Sequence, residues 1–186
     1  MTIERCATPS PHQYGHTLVQ ELIDQQEAGA LLAEANQMMQ SLREKPVRIS
    51  LVDQTISGFR AETLNNQIWV KKNLPREMQR GSTLFELTNI IHLPRFRQIK
   101  QDLKAGKFAT AEEYARSMEK VEYDGIARCV DIFQKINAQK KTKWVHHVFL
   151  PHAKSLSKGF DHYYRALLKD THKEHHRKMW HLHQPA

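Results

Sequence analysis

The sequence has few cysteines and no long apolar run, and both absences narrow what the protein can be. Cys6 and Cys129 are its only cysteines, so it offers neither a disulfide framework nor a cysteine-based zinc site and fits a reducing compartment. No stretch approaches the roughly 20 apolar residues that a membrane-spanning helix needs, and we expect no membrane span. The first 16 residues lack the apolar segment of a secretory signal, so we expect any export to proceed without a cleaved signal peptide.

Short catalytic motifs are missing as well. The seven glycines do not form a phosphate-binding loop, and no serine lies in a GxSxG elbow. These absences argue against P-loop enzymes and against serine hydrolases built on that elbow. No pattern requires a cofactor, and we predict none.

Positive charge and histidine are in excess, and both are concentrated at the C-terminal end. The net charge is +8, and residues 135–186 contain 11 Lys and Arg against 3 acids, which leaves 17 of each sign in the rest. Nine of the 12 histidines lie in the same section. The hydrophobic content of 40% is typical of a globular protein. We therefore predict one domain in three parts: an irregular leader (1–15), a globular body (16–138) and a basic, histidine-rich C-terminal section (139–186) with one helix and partial disorder.

Hydrophobic periodicity predicts a mostly helical α+β fold with a small antiparallel sheet of two or three strands. Thr110 and Glu113 form a capping pair that opens the longest helix. Helices are predicted over 83–92, 95–105, 110–136 and 160–180, and residues 17–43 are predicted as one long helix or two shorter ones with a weak point at Gly29. The strands are predicted over 47–52, 56–62 and 67–71.

The helix at 83–92 is predicted to be central and buried, because most of its circumference is apolar. Thr83 and Glu86 have the spacing of a capping pair, which places its start at Thr83. Upstream, Pro75 and Gly81 are expected to bracket a loop that leads into it.

Within this helix, residues 85–89 have the spacing of the HExxH zinc motif, with Phe85 and Asn89 in place of the two histidines. A small sheet, the motif helix and a later acidic helix resemble the layout of zincin metallopeptidases without the zinc ligands. A hydrolase of this type would have four candidate catalytic residues: Glu86, Asn89, Glu119 and Glu122. The alternative, which we favour from the sequence, is that Glu86 caps its helix and Asn89 hydrogen-bonds to neighbouring backbone.

Glu122 lies on the apolar stripe of the longest helix, four residues from both Met118 and Ile126. A carboxylate there needs a partner, because an unpaired buried charge is costly. The candidate partners are Asn89, Arg97, Tyr123 and Arg128. Both a general acid or base and a structural ion pair fit this pattern.

His172 and His176 are four residues apart on the last predicted helix, a spacing that can hold zinc, copper or nickel. We favour a solvated basic tail and predict no metal site.

The C-terminal section mixes aromatic residues with cations, which suits either nucleic acid or an acidic protein surface. No nucleic-acid-binding motif accompanies it, so we predict a protein partner and consider nucleic acid the weaker alternative. The predicted contact residues are Lys143, Trp144, His146, His147, Lys154, Lys158, Tyr163 and Tyr164.

The FELTNIIH helix, the EEYARSMEKVEYDG helix and the aromatic, basic C-terminal section together resemble the EvpP family of type VI secretion effectors. This resemblance implies export from the bacterial cytoplasm, with the Hcp tube protein as carrier. It also implies action in the host cytosol on an unknown host protein, which blunts innate inflammatory signalling, including the inflammasome. It brings no catalytic residues. We expect the carrier to contact residues 140–170 and the neutral body to meet the host target.

Overall fold

Helices form most of the structure and enclose a small sheet, which confirms the predicted α+β class. The computed structural model describes residues 11–140 and 143–182, so the first ten residues of the predicted leader lie outside it. The elements are α1 (Pro11–Ile23), α2 (Gln26–Ser41), β1 (Arg48–Val52), β2 (Ala61–Leu64), β3 (Gln67–Lys71), α3 (Arg76–Ile91), α4 (Leu93–Lys104), α5 (Ala111–Gln139), a 3-10 turn (Leu150–His152) leading into α6 (Ala153–Leu156), α7 (Phe160–His162), a π-helical turn (Tyr163–Leu167) and α8 (Asp170–Leu182).

The three strands form a mixed sheet in the order β1, β3, β2, and not the antiparallel sheet that the sequence predicts. Strand β3 pairs antiparallel with β2 across a two-residue turn, where Asn65 has a φ of 55°. It pairs in parallel with β1, with Ile49 opposite Ile68. After β1, residues 53–60 lead the chain to the opposite edge of the sheet, where β2 forms. The β2–β3 hairpin then returns the chain, so β3 lies between β2 and β1. Alternating hydrophobicity identifies strands but does not encode the direction of a partner.

Helix α3 is central, as predicted, but it begins at Arg76 rather than at Thr83. Its residues Leu84 and Leu87 are fully buried. Thr83 lies inside the helix and donates its hydroxyl hydrogen to the carbonyl oxygen of Gln79 at 2.8 Å, so it does not cap the helix. The segment predicted as a loop is therefore the first turns of α3, and Arg76 in it pairs with Glu21 of α1 at 2.8 Å.

The capping pair of the long helix α5 is confirmed. The Thr110 hydroxyl accepts a hydrogen bond from the Glu113 amide at 3.1 Å, and the Glu113 carboxylate accepts one from the Ala109 amide at 2.9 Å. The first bond satisfies an amide of the first helical turn, and the second fixes the residue just before the N-cap Thr110. The helix then continues for 29 residues and presents one face to α3 and another to α8.

The C-terminal section packs into the same structure, so the charge boundary near residue 139 is not a packing boundary among the described residues. The Asn137 side chain accepts hydrogen bonds from the amides of Trp144 and Val145 at 3.1 and 2.9 Å. The next amide, that of His146, donates to the carbonyl oxygen of Glu77 in α3 at 2.8 Å. Further along, Leu156 and Tyr163 are buried against α5.

Among the described residues, no helix combines the length and the apolar character that crossing a membrane requires.

Candidate functional site

Helices α5 and α8 bring together two pairs of titratable side chains, and the two pairs lie 50 residues or more apart in sequence. The helices run antiparallel, since Glu119 faces His172 whereas Glu112, two turns earlier on α5, faces Arg177 on α8. Residues three or four apart share a helix face, so one face of α5 carries Glu119 and Glu122, and one face of α8 carries the two histidines. We call Glu119, Glu122, His172 and His176 the Glu119 cluster.

Glu119 is the centre of the cluster and is completely buried. Its Oε1 lies 2.6 Å from Nδ1 of His172 and 3.2 Å from Nε2 of His176. Its other oxygen accepts a long hydrogen bond of 3.5 Å from the Tyr163 hydroxyl. Glu122 lies further out, with its oxygens 3.8 Å from Nε2 of His172 and 3.7 Å from Nε2 of His176.

The pKa shifts in the cluster follow from this packing. Burial alone would raise the pKa of Glu119, but the hydrogen bond from His172 and the nearby ring of His176 outweigh it and lower that pKa. The hydrogen bond to Glu119 raises the pKa of His172, and the pKa of His176 rises to about 9 because the two carboxylates outweigh the effect of burial. The packing of the cluster therefore stabilises the charged forms of Glu119, His172 and His176.

The same side chains also offer ligands for a metal cation. Glu119, His172 and His176 each offer one ligand atom, and these atoms lie within 4.8 Å of one another. Two imidazoles and a carboxylate are a common ligand set for zinc and other first-row transition metals. We predicted no metal site from the sequence, but the geometry of these three side chains suits one.

The four candidate catalytic residues of the predicted hydrolase lie in two separate places, since Glu119 and Glu122 belong to the Glu119 cluster and the other two do not. Glu86 and Asn89 line a cavity of about 200 Å³. The Glu86 carboxylate accepts hydrogen bonds from the Thr63 hydroxyl at 2.8 Å and from the Asn89 amide at 3.2 Å. Burial raises the pKa of Glu86. Glu122 is not among the residues that line this cavity, so the structure does not bring the proposed hydrolase residues to one cleft.

Glu86 is also not the helix cap that the sequence suggests, because it lies in the third turn of α3. Its partners are side chains, one from β2 and one from its own helix. Among the described residues, no second acid lines this cavity, and the Glu86 carboxylate is held there by Thr63 and Asn89.

The predicted contact residues of the C-terminal section differ in exposure. Lys143, Lys154 and Lys158 are exposed, and Trp144 and His146 are partly buried. The other three are in the interior: His147, Tyr163 and Tyr164. A partner can therefore meet the lysines directly but not these buried rings.

Trp144 is held against α3. The Arg80 guanidinium lies 4.8 Å from the centre of its ring and donates a hydrogen bond to its carbonyl oxygen at 3.1 Å.

Sequence analysis correctly recognised that Glu122 needs a partner, but it named none of the residues that face it. Arg97 pairs with Glu44, Arg128 pairs with Glu34, and the Tyr123 hydroxyl donates to the carbonyl oxygen of Leu156. The residues that face Glu122 are His172 and His176. Their i, i+4 spacing on the last helix matches two acids three residues apart on α5, and this match was the available sequence signal.

Comparisons of this chain with protein-family models, curated proteins and solved structures give no match.

Proposed function

We propose that this chain is a bacterial type VI secretion effector that the Hcp tube protein carries and that acts in the host cell by binding a host protein. The sequence resemblance of its two central helices and its C-terminal section supports this proposal. The observation that carries it is an exposed basic segment at residues 143–158, which presents Lys143, Lys154 and Lys158. The resemblance further implies that the host interaction blunts innate inflammatory signalling.

This basic segment is anchored at its start. Asn137 holds the backbone of Trp144 and Val145, and His146 is hydrogen-bonded to α3. Val148 in the same segment is 37% exposed. An anchored segment loses less conformational entropy when it binds than a free one. Exposed lysines beside an apolar residue suit an acidic protein surface, on which charge complementarity speeds association.

Because the section also fills part of the core, charge reversal is a cleaner test than deletion. The triple variant K143E/K154E/K158E should bind purified Hcp at least about tenfold more weakly, because each introduced glutamate would repel an acidic surface. Calorimetric titration at two salt concentrations measures this, and the wild-type affinity should fall as salt rises.

The matched control is K45E/K100E/K104E, which makes the same charge change at exposed lysines on the other side of the charge boundary. It should bind the carrier as the wild type does. Equal affinities of the wild type and the 143/154/158 variant would refute the assignment of this segment as the docking surface.

A further inference from the structure

We propose that Glu119, His172 and His176 bind one first-row transition-metal dication, of which Zn²⁺ is the natural candidate, with Glu122 within reach as a fourth ligand. This site lies between α5 and α8. It is independent of the carrier surface proposed above.

The donor geometry matches a shared ion. Two ligand atoms bound to zinc at about 2.0–2.1 Å in a tetrahedral site lie roughly 3.3 Å apart. Nε2 of His176 and Oε1 of Glu119 are 3.2 Å apart. Nδ1 of His172 is 2.6 Å from the same oxygen, so this ring has to turn before it can share the ion. Its side chain is 37% exposed, which leaves it room to do so.

His176 supplies an independent observation. Its Nε2 is buried and, despite its closeness to the two carboxylates, makes no hydrogen bond of acceptable geometry. The residue is only 5% exposed. A buried ring nitrogen without a hydrogen-bond partner is costly, and a metal ion between it and Glu119 would satisfy it. The nitrogen therefore faces the position that the ion would take.

The ligand types select the class of metal. Calcium and magnesium prefer sites made of oxygen ligands, whereas imidazole nitrogen favours zinc, cobalt, nickel and copper. Two carboxylate side chains facing the ion would balance the charge of a dication. Because histidine binds metal in its neutral form, binding should weaken as pH falls.

The position of the site gives the ion a structural effect. Its ligands come from two helices, and Glu119 lies 53 residues before His172, so the site exists only while α8 lies on α5. Binding should therefore stabilise the packing of α8 against α5, because a ligand that binds only the folded state with this contact intact stabilises that state. At a 100-fold excess over Kd, Zn²⁺ should raise the unfolding temperature by roughly 5–10 °C.

The test uses the full-length chain without a histidine tag, after removal of metal by a chelator. Competition with a chromophoric chelator measures Zn²⁺ affinity and stoichiometry, and Co²⁺ absorption reports the ligand geometry. The wild type should bind one equivalent. E119Q and H176Q should each lose about 100-fold or more in affinity.

The control is H175Q, which removes an exposed histidine of the same helix that is not one of the three ligands. It should bind within about threefold of the wild type. Equal losses in H175Q and H176Q would mean adventitious capture by the histidine-rich end and would overturn the proposal.

H172Q keeps the test decisive if a buried variant fails to fold, because His172 is partly exposed. Circular dichroism establishes that it is folded. A folded H172Q that binds Zn²⁺ as tightly as the wild type would overturn the proposal, as would a wild type whose unfolding temperature Zn²⁺ does not raise.

Discussion

Replacing Gly81 with alanine should destabilise the protein by about 3 kcal/mol or more, although the same change usually stabilises a helix by about 1 kcal/mol. A Cβ at this position would lie 2.0 Å from the carbonyl oxygen of His146 and 2.7 Å from its carbonyl carbon. Both contacts are to backbone, so no side chain can rotate away. The 145–146 segment must move instead, and the hydrogen bond from the His146 amide to Glu77 holds it in place.

The equivalent change at Gly125 is the matched control. Gly125 lies within α5, and the nearest atom to its added Cβ is the Thr88 hydroxyl at 3.2 Å, on a side chain that can adjust. We expect G125A to change the free energy of unfolding by no more than about 1 kcal/mol. Urea unfolding measures both variants. If G81A were as stable as the wild type, the contact between α3 and the C-terminal section would be wrong.

His147 should make the protein sensitive to acid below pH 6.5. Its ring is buried among Phe85, Phe133 and Phe149, with ring centres 5.0 to 5.7 Å away. Burial, with smaller repulsions from Arg60 and His146, lowers the pKa of His147 to about 3. At His147 the unfolded chain therefore binds a proton near pH 6.5, whereas the folded protein does not bind it until about pH 3. The free energy of unfolding falls as the pH falls between these two pKa values. The slope is about 1.4 kcal/mol per pH unit.

The variant H147F removes the titrating imidazole and keeps an aromatic ring among the three phenylalanines. Its free energy of unfolding should fall less steeply than that of the wild type between pH 6.5 and 4.5, by about 2–3 kcal/mol over the interval. Other histidines contribute equally to both proteins, so the difference isolates His147. H152Q, at an exposed histidine, should keep the wild-type slope. Parallel curves for H147F and the wild type would show that His147 is not buried in its neutral form.

Local patterns predicted the elements whose causes are local. The Thr110 and Glu113 cap defines the start of α5 whatever packs against it, because both hydrogen bonds lie within one turn. The start of α3 was missed for the opposite reason. Gly81 followed by Ser82 and Thr83 has the composition of a helix start, yet the glycine is there because a distant backbone segment crosses the helix. Nothing local distinguishes these two uses of glycine.

The candidate site was predicted in parts. The sequence identified Glu119 and Glu122 as candidate acids, because they lie on the helix that follows the motif helix in a zincin-like layout. It identified His172 with His176 as a possible metal pair, because they are four residues apart on one helix. It did not join the two pairs, because the register of α8 against α5 depends on the packing between them. That register is fixed in part by Met179 and Trp180, which pack with Tyr114 at the far end of the interface.

The Glu119 cluster is the central claim, because it joins α8 to the rest of the protein through a buried carboxylate. Hydrogen exchange of the α8 amides tests it most directly. In E119Q these amides should exchange about 10 to 100 times faster than in the wild type, because α8 loses the buried charge that faces both histidines and that His172 hydrogen-bonds, while α3 keeps its protection. E174Q, which changes an exposed acid on α8, should leave the exchange unaltered. Equal exchange of α8 in E119Q and the wild type would contradict the claim.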